Sequence, residues 1–179
     1  MKPIQTSAVA KSKVSTKQKP AEVTREMLET NLHELYWCEK QLAELLPEFS
    51  KLATSYELTS AVEAHLAVTE NQLIRLIHVF DAIDERAIGS KCEILTDIIS
   101  NHPIFDAEAG YDRDRAIISC CHQIMEHEIK TYRMICGYAV VLKQELAAEF
   151  LASAVKEEEN TYWRLNEISL SSIYFDAAS

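Results

Sequence analysis

Glycine and proline are almost missing from this chain, with three and four residues in 179. A β-rich protein turns often, and tight turns draw on Gly, Pro, Asn and Asp. Their scarcity excludes a sandwich or barrel and calls for few, long elements, which means helices. No apolar run approaches the roughly 20 residues of a membrane span, and none follows the early lysines as a secretory leader would. Metal-type CxxC spacing is absent as well. The five cysteines (Cys38, Cys92, Cys120, Cys121, Cys136) are an odd number, four of them within helical patterns. They are expected as reduced thiols in a cytoplasmic protein. No Gly-rich phosphate loop, nucleophile elbow or Ser/His/Asp order is visible.

Basic residues are short in the body of the chain. The net charge is −10, yet residues 1–21 hold five lysines and no acid, leaving 13 basic against 28 acidic residues in the remainder. Such a body repels nucleic acid, whose affinity rests on cationic contacts. Only the Lys-rich tail could attract a polyanion weakly. Residues 1–21 are expected as a disordered tail, 22–172 as the folded domain and 173–179 as a C-terminal tail.

What the chain does have is helical periodicity. A first helix is expected from about Thr24, a plausible N-cap, to about Ala53, with Leu28, Leu32, Leu35, Leu42 and Leu46 inward and a kink at Pro47. A second runs from about Glu57 to Ile83, with Leu58, Val62, Leu66, Leu73, Leu76 and Phe80 inward. A short helix near Cys92–Ser100 follows, then the breaker Asn101-His102-Pro103. The third long helix spans about Asp112 to Leu142, and the fourth about Glu145 to Leu170. Each long helix reaches about 40 Å at about 1.5 Å per residue. Short links make two antiparallel hairpins, and about 28 residues between them can travel the bundle's whole length. That predicts an all-α, ferritin-like four-helix bundle with a long crossover carrying a short extra helix.

Polar residues interrupt the apolar faces. Glu39 lies four residues after Leu35 and seven before Leu46. Glu128 lies four after Ile124 and seven before Ile135. Glu158 lies seven after Leu151 and seven before Leu165. His65, Thr69 and Gln72 share the inward face of the second helix. Measured from the hairpin turns, Glu128 and Glu158 share one level, Gln72 is level with Glu39, and His65 lies about two turns away. No Lys or Arg is read onto these faces. Buried, unpaired carboxylates cost several kcal/mol each, and neighbouring ones repel. Either a bound cation balances them, or they are protonated and hydrogen-bonded to Tyr132, Tyr162, Thr69 or Gln72. Oxygen-rich ligation with one imidazole suits iron or manganese. Glu126 and His127 are expected sideways or outward, and Glu157 and Glu159 in a solvated acidic run.

Several segments resemble the YciE/YciF family of bacterial stress-associated proteins. They are Glu34-Leu35-Tyr36 with Glu39-Lys40-Gln41-Leu42 and Leu45-Leu46-Pro47; His65-Leu66, Thr69, Gln72, Arg75-Leu76 and Val79-Phe80; Lys91-Cys92-Glu93; Glu128-Ile129 with Tyr132; and Glu157-Glu158 with Leu165. The resemblance implies a ferritin-like bundle, a homodimer and a di-iron carboxylate site. Glu39, Glu128 and Glu158 match its acidic positions, whereas Val68, Met125 and Tyr162 stand where further acids are common. The expected ligands are thus Glu39, Glu128 and Glu158, assisted by His65 and Gln72, with Thr69, Tyr132 and Tyr162 around them. The expected cofactor is iron, or manganese, as one or two ions. The expected function is metal binding with ferroxidase or peroxide-consuming activity. The alternative is a metal-free bundle acting as a structural or interaction dimer.

Overall fold

The computed structural model describes residues 19–176, with side chains through residue 171. Every regular element among them is a helix: α1 (Pro20–Leu52), α2 (Tyr56–Ala82), α3 (Glu93–Ser100), α4 (Tyr111–Val141) and α5 (Glu145–Asp176). The lysines of the expected tail up to residue 17, and residues 177–179, lie outside the described residues.

Helix α1 starts earlier than Thr24. Pro20 occupies the first helical turn, where its fixed φ suits the helix and its missing N–H costs nothing. Lys19 N–H donates to the Glu22 carboxylate at 3.0 Å, and the Thr24 hydroxyl donates back to the Pro20 carbonyl at 3.0 Å. Thr24 is therefore an interior residue and not the cap. The helix continues through Pro47 to Leu52. At the other end of the chain, α5 runs past Leu170 to Asp176.

Side-chain pairings define the topology. Arg25 near the start of α1 donates to the carbonyl of Ile83 just after α2 at 2.9 Å. Asp114 in the first turn of α4 accepts from Thr54 N–H at 2.7 Å and Ser55 N–H at 2.9 Å, in the α1–α2 turn. Helix α4 thus begins where α1 ends and runs alongside α1 in the opposite direction. Helix α5 returns antiparallel to α4 and packs on α2 through Arg75 and Glu157. The helices stand around the axis in the order α1, α2, α5, α4, each antiparallel to its neighbours, with α2 and α4 diagonal. Joining diagonal, parallel helices requires a connection the length of the bundle. Residues 83–110 provide it, as the ferritin-like arrangement demands.

The crossover is seated on α1. Ser90 N–H donates to the His33 carbonyl at 3.0 Å, and His33 Nδ1 lies 2.5 Å from the Ile88 carbonyl oxygen. Gly89 passes so near Trp37 that a Cβ there would stand 3.1 Å from the Trp37 Cβ. Two apolar clusters fill the bundle. One holds Leu42, Leu46, Phe49, Leu58, Val62, Ile117, Ile124 and Leu165 near the α1–α2 turn. The other holds Leu28, Leu32, Leu76, Phe80, Ile135 and Leu151 at the opposite end. Between them lies a polar layer.

Candidate metal centre

That layer is made of Glu39 from α1, His65, Thr69 and Gln72 from α2, Glu128 and Tyr132 from α4, and Glu158 from α5. Glu39, His65, Thr69, Glu128, Tyr132 and Glu158 are all 0% exposed. The i, i+4 and i, i+7 spacing from leucines and isoleucines forces this, because the apolar stripes cannot be buried without carrying these side chains inward. His65 Nε2 stands 3.9 Å from Glu158 Oε2. Ligand atoms of His65, Glu128 and Glu158 all lie within 4.8 Å of one another. Glu39 is held a little apart by Tyr132, whose hydroxyl donates to Glu39 Oε1 at 2.6 Å.

His65 is therefore closer to the centre than the level argument placed it. The α1–α2 turn is centred on residue 54, between Leu52 and Tyr56. This brings Thr69 level with Glu39, and leaves His65 and Gln72 about one turn to either side. Arg75, one turn beyond Gln72, was not read as an inward cation. Its half-buried guanidinium grips Glu157 through both Nη atoms, one at 2.7 Å, and its charge favours the ionised form of Glu39. Glu157 is thus an ion-paired partner and not part of a solvated run. Tyr162 is half-buried; its hydroxyl donates to Glu126 at 3.2 Å and its ring packs on His122 with centroids 4.5 Å apart. Its hydroxyl bonds the exposed carboxylate of Glu126 and not those of the buried layer. His127, expected sideways or outward, is half-buried with Nε2 3.5 Å from Cys92 Sγ.

The layer is rich in buried atoms with no partner. Glu39 Oε2, both oxygens of Glu128 and of Glu158, both ring nitrogens of His65, Thr69 Oγ1 and both amide atoms of Gln72 make no hydrogen bond. Native interiors leave such atoms unsatisfied only rarely. Burial, then the neighbouring carboxylates, push Glu39 and Glu128 well above the usual carboxylate range. Burial raises Glu158 to about 7, partly opposed by the Gln72 amide, which faces it without closing a hydrogen bond. Burial alone lowers His65 to about 4, so its imidazole is neutral and free to offer a lone pair. A divalent cation would answer the acceptors among them: it would balance the carboxylates and take their lone pairs and that of the imidazole. The donor set of His65, Glu128 and Glu158, with Glu39 Oε2 adjacent, fits iron or manganese.

A ferritin-like bundle with a carboxylate–imidazole layer at mid-height is the class that this fold and donor set define. The chain belongs to the DUF892 family, described as a domain of unknown function, whose model matches residues 23–177. Protein YciF of Escherichia coli (strain K12) is 27% identical over 145 residues, which is 79% of this chain and 87% of YciF. This bears out the YciE/YciF resemblance. The crystal structure of the E. coli stress protein YciF superposes with a TM-score of 0.77 at 23% identity, covering 88% of this chain and 99% of YciF. YcfI from Rhodopseudomonas palustris does so with a TM-score of 0.77 at 23% identity, covering 86% and 96%. Among the described residues, no helix is long and apolar enough to cross a membrane.

Proposed function

We propose that this protein is a metal-binding, stress-associated bundle that holds iron(II), or manganese(II) in its place, at the mid-height layer. The observation that carries the reading is the concentration there of unpartnered carboxylate and imidazole atoms. His65, Glu128 and Glu158 would hold one ion, with Glu39 Oε2 available as a fourth ligand or as a link to a second ion. Iron(II) held there would supply one-electron chemistry toward O₂ or peroxide, and this reading carries ferroxidase or peroxide-consuming activity as its expected outcome. The chain's own residues orient and insulate. Tyr132 fixes the rotamer of Glu39, the Arg75–Glu157 pair closes the α2–α5 seam, and the flanking leucines exclude water.

The test is anaerobic titration with Fe(II), read by metal content per chain and by oxidation on admission of O₂. One ion bound in the wild type and none in a Glu128→Ala, Glu158→Ala double variant supports the reading. A folded wild-type bundle that takes up no iron or manganese overturns it.

Met125, 0% exposed within the apolar cluster beside Glu128, favours a second reading. A thioether there adds packing and no hard ligand, as suits a bundle acting through contacts, as a cytoplasmic homodimer. Sedimentation equilibrium run alongside the Fe(II) titration distinguishes the two, with metal uptake as the deciding readout. A metal-free protein that dimerises fully, unchanged by Fe(II), belongs to this second reading.

A further inference from the structure

A second group of ligand atoms lies beside the carboxylate layer. Cys38 precedes Glu39 on α1, and His127 precedes Glu128 on α4. One residue turns a side chain by about 100° around a helix, so these two face the crossover and not the bundle axis. There they meet Cys92, the last residue before α3. The thiol sulfurs of Cys38 and Cys92 and an imidazole nitrogen of His127 all lie within 4.8 Å of one another. Cys92 Sγ is 3.5 Å from His127 Nε2. That separation is what a sulfur at about 2.3 Å and a nitrogen at about 2.0–2.1 Å subtend on one tetrahedral zinc ion. Both cysteines are buried, at 0% and 2% exposure, while His127 is half-buried and gives the cluster its way out to solvent. All five cysteines are free thiols.

We propose that Cys38, Cys92 and His127 form a separate site for a thiophilic cation of the zinc(II) class. Two thiolates and an imidazole select zinc(II) or copper(I), whereas the layer next to them selects a hard cation, so ligand chemistry assigns different metals to adjacent sites. Burial first, and then the Glu128 carboxyl, hold the Cys38 thiol well above its usual value, so the thiolate forms as the cation binds and its proton is released. Three ligands leave a fourth position for water or an exogenous ligand. The metal also staples the crossover to α1 and α4. The inference stands whether or not the carboxylate layer binds iron.

The experiment is anaerobic titration of the reduced full-length protein with Co(II) as an optical stand-in for zinc, followed by competition with Zn(II) and then Cu(I). One equivalent should give a near-ultraviolet sulfur-to-cobalt charge-transfer band, which Zn(II) abolishes. The band should persist in Cys136→Ser and in Glu158→Gln, and vanish in both Cys92→Ser and Cys38→Ala. His127→Ala should weaken zinc binding by about tenfold or more, since even residues supporting a ligand command about that much. Displacement of zinc by one equivalent of Cu(I) would equally support a thiophilic site, since thiolates favour the softer ion. No band, a band that survives in folded Cys92→Ser or Cys38→Ala, or a Cys38–Cys92 disulfide in alkylated protein as isolated would each overturn the proposal.

Discussion

Tyr132 has one proton to donate and gives it to Glu39 Oε1 at 2.6 Å, while Glu39 Oε2 has no partner. Replacing Tyr132 by Phe leaves the whole carboxyl unsatisfied in a dry core. Stranding one buried polar group costs about 1–3 kcal/mol, so Tyr132→Phe should destabilise the metal-free protein by that amount in urea unfolding. An unchanged midpoint would show that Glu39 does not depend on this donor. The opposite sign is expected one turn earlier on α4. Both oxygens of Glu128 are buried and unpartnered, and replacing such groups by apolar ones of similar volume is often stabilising by about 1–4 kcal/mol. Glu128→Met should raise metal-free stability on that scale and weaken Fe(II) binding, measured as uptake at limiting metal. A residue kept at the expense of stability is the mark of a functional group. If Glu128→Met destabilises and leaves metal uptake intact, Glu128 is structural.

At the scale of elements, the start of α4 is clamped to the α1–α2 turn. Asp114 takes the N–H groups of Thr54 and Ser55, and Gly110 N–H donates to the Thr54 hydroxyl at 2.9 Å. Ser55 also caps α2 by accepting from Leu58 N–H at 3.2 Å. Asp114→Ala frees two donors at the N-terminal end of α2 and should cost about 1–2 kcal/mol, as loss of a helix cap does. Hydrogen exchange should show the loss concentrated around residues 53–58. A uniform change along the bundle would argue against a local clamp. The long helices and their pairing were legible in the sequence because leucines at i, i+3, i+4 and i+7 leave one face to bury, and Glu39, Glu128 and Glu158 sit on those same faces. The path of the crossover was not legible. Its seat on α1 depends on the contact of Gly89 with Trp37 and on bonds between His33 and residues 88–90. Periodicity carries no trace of these, so nothing local could say that Cys92 meets Cys38 and His127. Arg75 was missed for a related reason: a long side chain at the edge of an inward face reaches a partner on the next helix while its stem stays in the seam.

For the whole molecule, the polar layer makes stability depend on pH and metal together. A raised carboxyl contributes stability that is complete below its unfolded value and is lost as pH climbs through its folded value. For Glu158 that window runs from 4.5 to about 7. The lowered imidazole of His65 works the other way. Its contribution is complete above 6.5 and is lost as pH falls through about 4. Each of these two is worth about 3 kcal/mol at 1.36 kcal/mol per pH unit, so over their shared range they nearly cancel. Glu39 and Glu128 settle the sign, since both are shifted upward, first by burial and then by neighbouring carboxylates: Glu158 beside Glu39, and Glu39 and Glu158 beside Glu128. The metal-free bundle should lose stability as pH rises through about 7, each kcal/mol lowering its melting midpoint by about 2–4 °C. Changing all three acids to Gln should flatten the profile, which separates the core from general repulsion in a chain of net charge −10. With Fe(II) or Mn(II) bound under anaerobic conditions the slope should reverse. The ion binds deprotonated carboxylates and neutral imidazole, so its contribution grows as protons leave. Calorimetric melts at several pH values, with and without metal, read both slopes. A metal-free midpoint that is level or rises toward pH 8 would mean that the three carboxyls are hydrated or paired in solution, and the case for a cation in the core would lose its energetic basis.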